Sequence, residues 1–300
     1  MADKPLSESH PIEAIGPSLH LGAFNTTRAT RLGPAWAAVC GVVASGAFAF
    51  DGPNLLLAAF VLILVDWAWP ALWTMLVRTD WLAPLARWSQ TPLVTHALRL
   101  PYLRSGSPAD RLLSWVARVR EWWRLFLMPM TDVSAPSSVA ALSIALLISI
   151  LLGWRALALT LAVLALTCIG VLRALRLRYD PDGLRALVYG ALPWCLGHVA
   201  FAPLTLESAG IGLLFGWAYR GLMAESSWLG LLASQVVVAA ILFGGHLPEA
   251  AFVVLVAVAA QGALHSFLRG SDYARRAQIW LMLAMLSSAL ALLAATSSLG

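Results

Sequence analysis

The feature that most limits what this chain can become is an apolar run from Leu55 to Val77 that carries one carboxylate, Asp66, at its middle. Such a run reaches the roughly 20 residues a helix needs to cross a ~30 Å hydrocarbon core. A carboxylate near the centre of a spanning helix costs about 2.5 to 3.5 kcal/mol on insertion scales, so by default it faces a bundle interior or a polar cavity. Around it the chain reads Val65-Asp66-Trp67-Ala68-Trp69-Pro70. Proline removes an intrahelical donor and bends the helix, which frees a carbonyl one turn earlier. A bend beside a buried acid predicts a cavity and makes Asp66 the first candidate functional residue. The alternative, a single polar residue bonded to a neighbouring helix, stays open.

Composition extends this reading to the whole chain. Of 300 residues, 60% are hydrophobic and only 12% charged, and the mean hydropathy is +0.79, whereas about a quarter of residues in soluble domains are charged. The chain reads as an all-α polytopic membrane protein, which excludes a nucleic-acid-binding role. Residues 1–33 are polar and turn-rich, without a short apolar run and small-residue cleavage site, so they read as a cytoplasmic tail rather than a removable leader. Cys40, Cys168 and Cys195 fall in apolar stretches without a CxxC pair, which argues against a zinc site or a disulfide framework.

Apolar runs of spanning length occur near 34–50, 55–77, 137–153, 156–172, 186–203, 209–223, 228–244, 250–268 and 278–296. Arginines orient these nine expected spans. Arg28 and Arg31, the seven arginines from Arg87 to Arg124, Arg173 to Arg185, Arg220, and Arg269 to Arg276 all fall on one side, and only Arg155 falls on the other. The positive-inside rule then predicts a cytoplasmic N-terminus and an external C-terminus in a bacterial inner membrane. Residues 34–300 form one transmembrane domain with a single long cytoplasmic loop, 78–136.

Within that loop, Ser107-Pro108-Ala109-Asp110 reads as a helix start, and a helix is expected over 109–128. Leu112, Trp115, Val116, Val119, Trp122, Trp123 and Phe126 recur at helical spacing, with Arg111, Arg118, Glu121 and Arg124 largely opposite. This is the pattern of an interfacial helix in the headgroup plane. The same apolar face could instead cover the bundle's opening or meet a partner protein. The 14 tryptophans mostly lie near span ends, as an amphipathic indole prefers. Trp67, Trp69 and Trp73 share the span of Asp66, where aromatic walls could hold a flat or polyene ligand, although packing explains them as well.

A second informative stretch runs from Leu172 to Arg220. Arg173, Arg176, Arg178 and Tyr179 precede Asp180-Pro181-Asp182-Gly183, which by itself is a turn flanked by basic residues. The fifth span continues as Tyr189 to His198, "YGALPWCLGH", whose Gly and Pro predict a bent, closely packed helix. Gly212 and Gly216 form a GxxxG pair, read as a close packing face. His198 and His265 could each ligate a haem or chlorophyll alone, but their depths differ by more than about a dozen Å at 1.5 Å per residue, so they cannot share a metal. A histidine bonded to a backbone carbonyl is the simpler reading. No phosphate-binding glycine loop, nucleophile elbow or HExxH occurs.

The order of basic loop, "YGALPWCLG" at Tyr189 to Gly197, then Leu204-Thr205-Leu206-Glu207-Ser208 and an aromatic sixth span resembles the matching region of the UbiA-type intramembrane prenyltransferases. Val133-Ser134-Ala135-Pro136 at the third span extends the likeness, which covers about residues 133–220. The resemblance implies a nine-helix UbiA-like bundle with a cavity open to the cytoplasm and to lipid, where a prenyl diphosphate is ionised with Mg²⁺. It implies Asp66, Asp180 and Asp182 for metal and catalysis, and Arg176, Arg178 and Arg220 for diphosphate. The chain departs from the family's aspartate-rich motif, since Pro70 and Thr74 stand four and eight residues after Asp66. The resulting expectation is a membrane protein that binds or processes an isoprenoid-type lipid (prenyl chain, quinone, carotenoid or pigment tail) near Asp66, Trp69 and His198, with prenyl transfer left open. Two alternatives are a non-catalytic subunit of a photosynthetic or respiratory membrane complex and a small-solute transporter. The last predicts internal repeats, and no convincing repeat is visible between the halves.

Overall fold

The computed structural model describes residues 33–78, 86–91, 106–127, 134–177, 182–223, 228–268 and 270–297. These are about 89% helical and contain no strand. In order, the helices are α1 (Pro34–Ala44), α2 (Gly52–Ile63), α3 (Trp69–Arg78), α4 (Pro108–Trp122), α5 (Ser134–Leu152), α6 (Trp154–Leu177), α7 (Asp182–Ala186), α8 (Leu192–Val199), α9 (Leu206–Met223), α10 (Trp228–Gly244), α11 (Pro248–Phe267) and α12 (Gly270–Ser297). Two π-helical turns, Leu64–Ala68 and Leu187–Ala191, join α2 to α3 and α7 to α8 into continuous rods.

Each of the nine apolar stretches coincides with one rod among the described residues. Gly52–Thr74, Trp154–Leu172, Pro248–Phe267 and Asp272–Ser297 are long and apolar enough to cross a membrane. The first stretch differs from expectation: helix was expected over 34–50, but α1 ends at Ala44. Ser45 Oγ caps the turn by donating to the Val42 carbonyl at 2.6 Å, and Gly46 takes a φ of +67°, which turns the chain out of the helix. Eleven residues make a rod of only about 16 Å. Asp51 then starts α2 by accepting the Asn54 N–H at 2.9 Å.

The exterior of the molecule differs from that of a soluble domain. Leu147, Ile150, Leu161, Phe243, Phe252 and Ile279 are exposed, whereas Ser149, Thr160, Thr167, Gln235, Gln261 and Ser288 are buried. An apolar exterior with a few hydrogen-bonded polar side chains set into a mostly apolar core is what a hydrocarbon solvent selects.

Two core clusters divide the bundle. One joins α1, α9, α10, α11 and α12 around Trp194, Phe215, Leu231 and Leu281. The other joins the α2–α3 rod, α5 and α6 around Leu64, Trp69, Leu72 and Val163, and also takes in Ala38 and Leu196. The α7–α8 rod and α1 supply both. They cross where two glycines face each other's backbone: a Cβ on Gly41 would collide with the Trp194 carbonyl, and one on Gly197 with the Ala38 carbonyl. The GxxxG expectation holds in the same region, because a Cβ on Gly216 would lie 2.8 Å from that of Ala191, and one on Gly212 would lie 2.6 Å from the Trp194 ring.

The helix start read at Ser107 is present. Ser107 Oγ accepts the Asp110 N–H at 3.2 Å, and Asp110 accepts the Gly106 N–H at 2.9 Å. The helix runs over Pro108–Trp122 and continues as a π turn, Trp123–Leu127. On its apolar face Leu112 is 64% and Trp115 60% exposed, while Trp122 packs edge-on against Trp88 with ring centroids 5.8 Å apart. Arg118 departs from the expected solvent face: its guanidinium donates to the Trp88 carbonyl at 3.2 Å and lies 5.1 Å over the Trp88 ring.

Candidate functional site

Asp66 sits inside the first π turn and is 8% exposed. The turn exists because Pro70, one residue into α3, has no N–H for the Asp66 carbonyl and its ring crowds that oxygen. The Trp69 N–H reaches back five residues to the Leu64 carbonyl instead of four, which widens the helix by one residue. The bend expected from Pro70 therefore takes the form of a π turn rather than an open break. α1 and α5 pack against the turn, and Val65, Ala68 and Trp69 around the carboxylate have no exposed surface.

Trp69 is engaged in a polar ladder rather than lining a groove. Its Nε1–H donates to Thr160 Oγ1 at 3.3 Å, Thr160 and Ser149 share a hydrogen bond of 2.6 Å, and Ser149 Oγ donates to the Ala145 carbonyl at 2.5 Å. His198 is likewise occupied on both nitrogens. Nε2 lies 3.1 Å from the Pro203 carbonyl, which can only accept, so this nitrogen carries the proton. Nδ1 then accepts from Ser208 Oγ at 3.0 Å, and Ser208 Oγ accepts the Trp194 indole N–H at 3.1 Å. Axial ligation of a haem or chlorophyll would break this chain, so the carbonyl-bonded reading of His198 is the one the geometry fits.

Arg220 is in the C-terminal turn of α9, with its guanidinium 4.8 Å over the Trp217 ring and its Nε buried without a hydrogen-bond acceptor. Gly183 of α7 lies against it. Arg185, read from the sequence only as one of the basic residues that orient the spans, lies 5.5 Å over the Tyr189 ring. The Tyr189 hydroxyl meets Thr74 Oγ1 at 3.5 Å, which ties α3 to the second π turn. Arg178 and Asp180 lie outside the described residues, as do the side chains of Arg176 and Asp182.

Magnesium needs about six oxygen donors in octahedral array, drawn from carboxylates, phosphates and water. Asp66 is followed on its own face by Pro70 and Thr74, and the described residues contain no group of three or more side chains able to hold a metal. The described donor set does not fit a magnesium-diphosphate centre.

The two π turns reveal a signal that sequence reasoning missed. Leu64-Val65-Asp66-Trp67-Ala68-Trp69-Pro70 and Leu187-Val188-Tyr189-Gly190-Ala191-Leu192-Pro193 share the pattern L-V-x-x-A-x-P. In both, the residue before proline bonds back to the leucine that opens the turn. Asp66 and Tyr189 occupy the same position of this short repeat.

A groove of about 650 Å³ lies elsewhere, between the N-terminal half of α11 and the C-terminal half of α12. Its walls are aliphatic and aromatic, including Phe252, Val253, Val256, Leu283 and Leu290, with Trp280 at one end and Glu249 at the other. Asp66, Trp69, His198 and Arg220 are not among its walls. No family model, curated protein or solved structure matches this chain.

Proposed function

We propose that this chain is a UbiA-like integral membrane protein of nine spans, N-terminus cytoplasmic and C-terminus external, that binds an isoprenoid-type lipid in the α11–α12 groove without metal-dependent prenyl transfer. The observation that carries the reading is the shape of the groove. From Trp280 to Ala294, 14 residues along α12, it extends about 21 Å at 1.5 Å per residue. A volume of about 650 Å³ over that length makes the groove long, narrow and apolar, a shape that accommodates an extended hydrocarbon chain. The walls offer branched aliphatic side chains to a branched chain. α4 fits beside this as an interfacial helix, its exposed tryptophans in the cytoplasmic headgroup layer and its arginines near anionic lipid at about 1 kcal/mol each.

Extraction in mild detergent followed by lipid mass spectrometry tests the reading. One prenyl-chain lipid should co-purify with the wild type and be lost from Val253→Trp and Leu290→Trp, which fill the groove from its exposed walls. Retention of the same lipid in both variants, or recovery of ordinary phospholipid alone, refutes it.

The paired π turns favour a second reading, a small-solute transporter. Interrupted helices at matching positions of two repeats commonly flank a transported ligand near the midplane. Under this reading, Thr74→Cys and Tyr189→Cys should each react with membrane-impermeant thiol reagents from either side. Labelling from one side alone removes it.

A further inference from the structure

The two ends of the α11–α12 groove differ in chemistry. Around Ala257 and Trp280 the lining side chains are hydrocarbon or indole; side-chain oxygen enters the lining only at Glu249 and Ser287, and no arginine or lysine enters it. Glu249 lies in the first turn of α11 and is exposed, whereas Ser287 of α12 is half-buried. An acid in a first turn favours its helix wherever the carboxylate points. That preference does not account for its place in the wall of an apolar groove.

Ser287 also stands apart from the other serines of these helices. In apolar surroundings a helical serine normally turns back to its own backbone, as Ser288 does to the Ala284 carbonyl at 2.8 Å and Ser234 to the Gly230 carbonyl at 2.9 Å. Among the described residues, neither the Ser287 hydroxyl nor the Glu249 carboxylate makes a hydrogen bond or an ion pair. Their backbones come to nearly one depth. The groove pairs the start of α11 with the end of α12, so the two helices run antiparallel; Glu249 is about 18 residues from the end of α11 at Phe267, and Ser287 about 17 residues from the start of α12 at Gly270. At 1.5 Å per residue these are rises of about 27 and 26 Å.

We propose that the groove's lipid lies with its polar end toward Glu249 and Ser287 and its chain toward Trp280, and that this end is a protonated amine. A carboxylate with no cation beside it attracts an ammonium group by a charge-assisted hydrogen bond and repels a phosphate, for which the groove offers no positive side chain. The serine hydroxyl accepts a second N–H of the same head. A primary alkyl amine, like a lysine side chain, is charged at neutral pH. This deepens the groove reading above and rests on it.

The test is equilibrium binding of tritiated geranylgeranylamine to the full chain in detergent, with unlabelled amine, phytane and geranylgeranyl phosphate as competitors. Phytane carries a branched chain without a head. Phytane and the phosphate should each compete at least about tenfold more weakly than the unlabelled amine. Glu249→Gln keeps the shape and removes the charge, so it should weaken amine binding about tenfold; Ser287→Ala should weaken it about threefold. Phytane binding should be unchanged in both, which reports an intact groove. Equal competition by amine and phytane, or an amine preference that survives both substitutions, overturns the head-group site and leaves the groove standing. Preference for the phosphate overturns the selection of a cation. Absence of binding by amine and phytane alike, or binding of both that survives Val253→Trp and Leu290→Trp, overturns the groove reading and this proposal with it.

Discussion

Gly197→Ala should be among the most damaging single-methyl changes in the bundle, together with Gly41→Ala at the same crossing. The new Cβ at Gly197 would collide with the Ala38 carbonyl oxygen and lie 2.9 Å from that carbonyl carbon and 3.0 Å from the Val42 nitrogen. All three atoms are backbone, so no rotamer change relieves the overlap; α1 and the α7–α8 rod must part by about 1 Å to reach ordinary van der Waals contact. Overpacking of this kind costs roughly 1 to 3 kcal/mol, and the upper end applies because the seam joins both core clusters. Gly210→Ala is the control: it sits on α9 with nothing within 4 Å of its Cβ, and helix propensity alone favours alanine there by about 1 kcal/mol. Thermal unfolding in detergent, followed by loss of the monodisperse gel-filtration peak, should place Gly197→Ala about 5 to 10 °C below wild type, at roughly 2 to 4 °C per kcal/mol. Gly210→Ala should sit at or above wild type. Equal midpoints for the two variants would falsify the close crossing of α1 and α8.

Other expectations follow from single contacts. Ser208→Ala leaves the Trp194 indole N–H and His198 Nδ1 without a partner, so it should cost about 2 to 4 kcal/mol in the same assay, more than Ser266→Ala at an exposed helix position. A double-mutant cycle on Trp69→Phe and Thr160→Val should return a coupling near 1 kcal/mol, and additivity within about 0.3 kcal/mol would dissolve the ladder. Leu112→Ser with Trp115→Ser should reduce quenching of tryptophan fluorescence by brominated lipids in reconstituted vesicles. Unchanged quenching would place the α4 face against protein instead of lipid.

The positions of the rods were legible in the sequence because hydropathy sums over neighbours in the chain, and each apolar stretch found its helix. Capping chemistry was legible for the same local reason, as at Ser107. Asp66 was visible as a buried acid, and the proline after it as a bend. The pattern L-V-x-x-A-x-P was equally present in the letters, but nothing singled it out until both copies had formed π turns.

What the chain determined by itself is an all-helical polypeptide with an apolar exterior, with rods where the hydrophobic runs lie and breaks where glycine and serine interrupt them. Only the tertiary structure decided that Trp69 and His198 spend their polar atoms on partners beyond their own helices, that a groove opens between α11 and α12, and that Gln235 and Tyr273 are left with bonds unmade. The division has one cause. A helix forms from interactions three and four residues apart, whereas a hydrogen bond between helices depends on which faces meet, and residues as distant as Trp69 and Thr160 meet only after the bundle has packed.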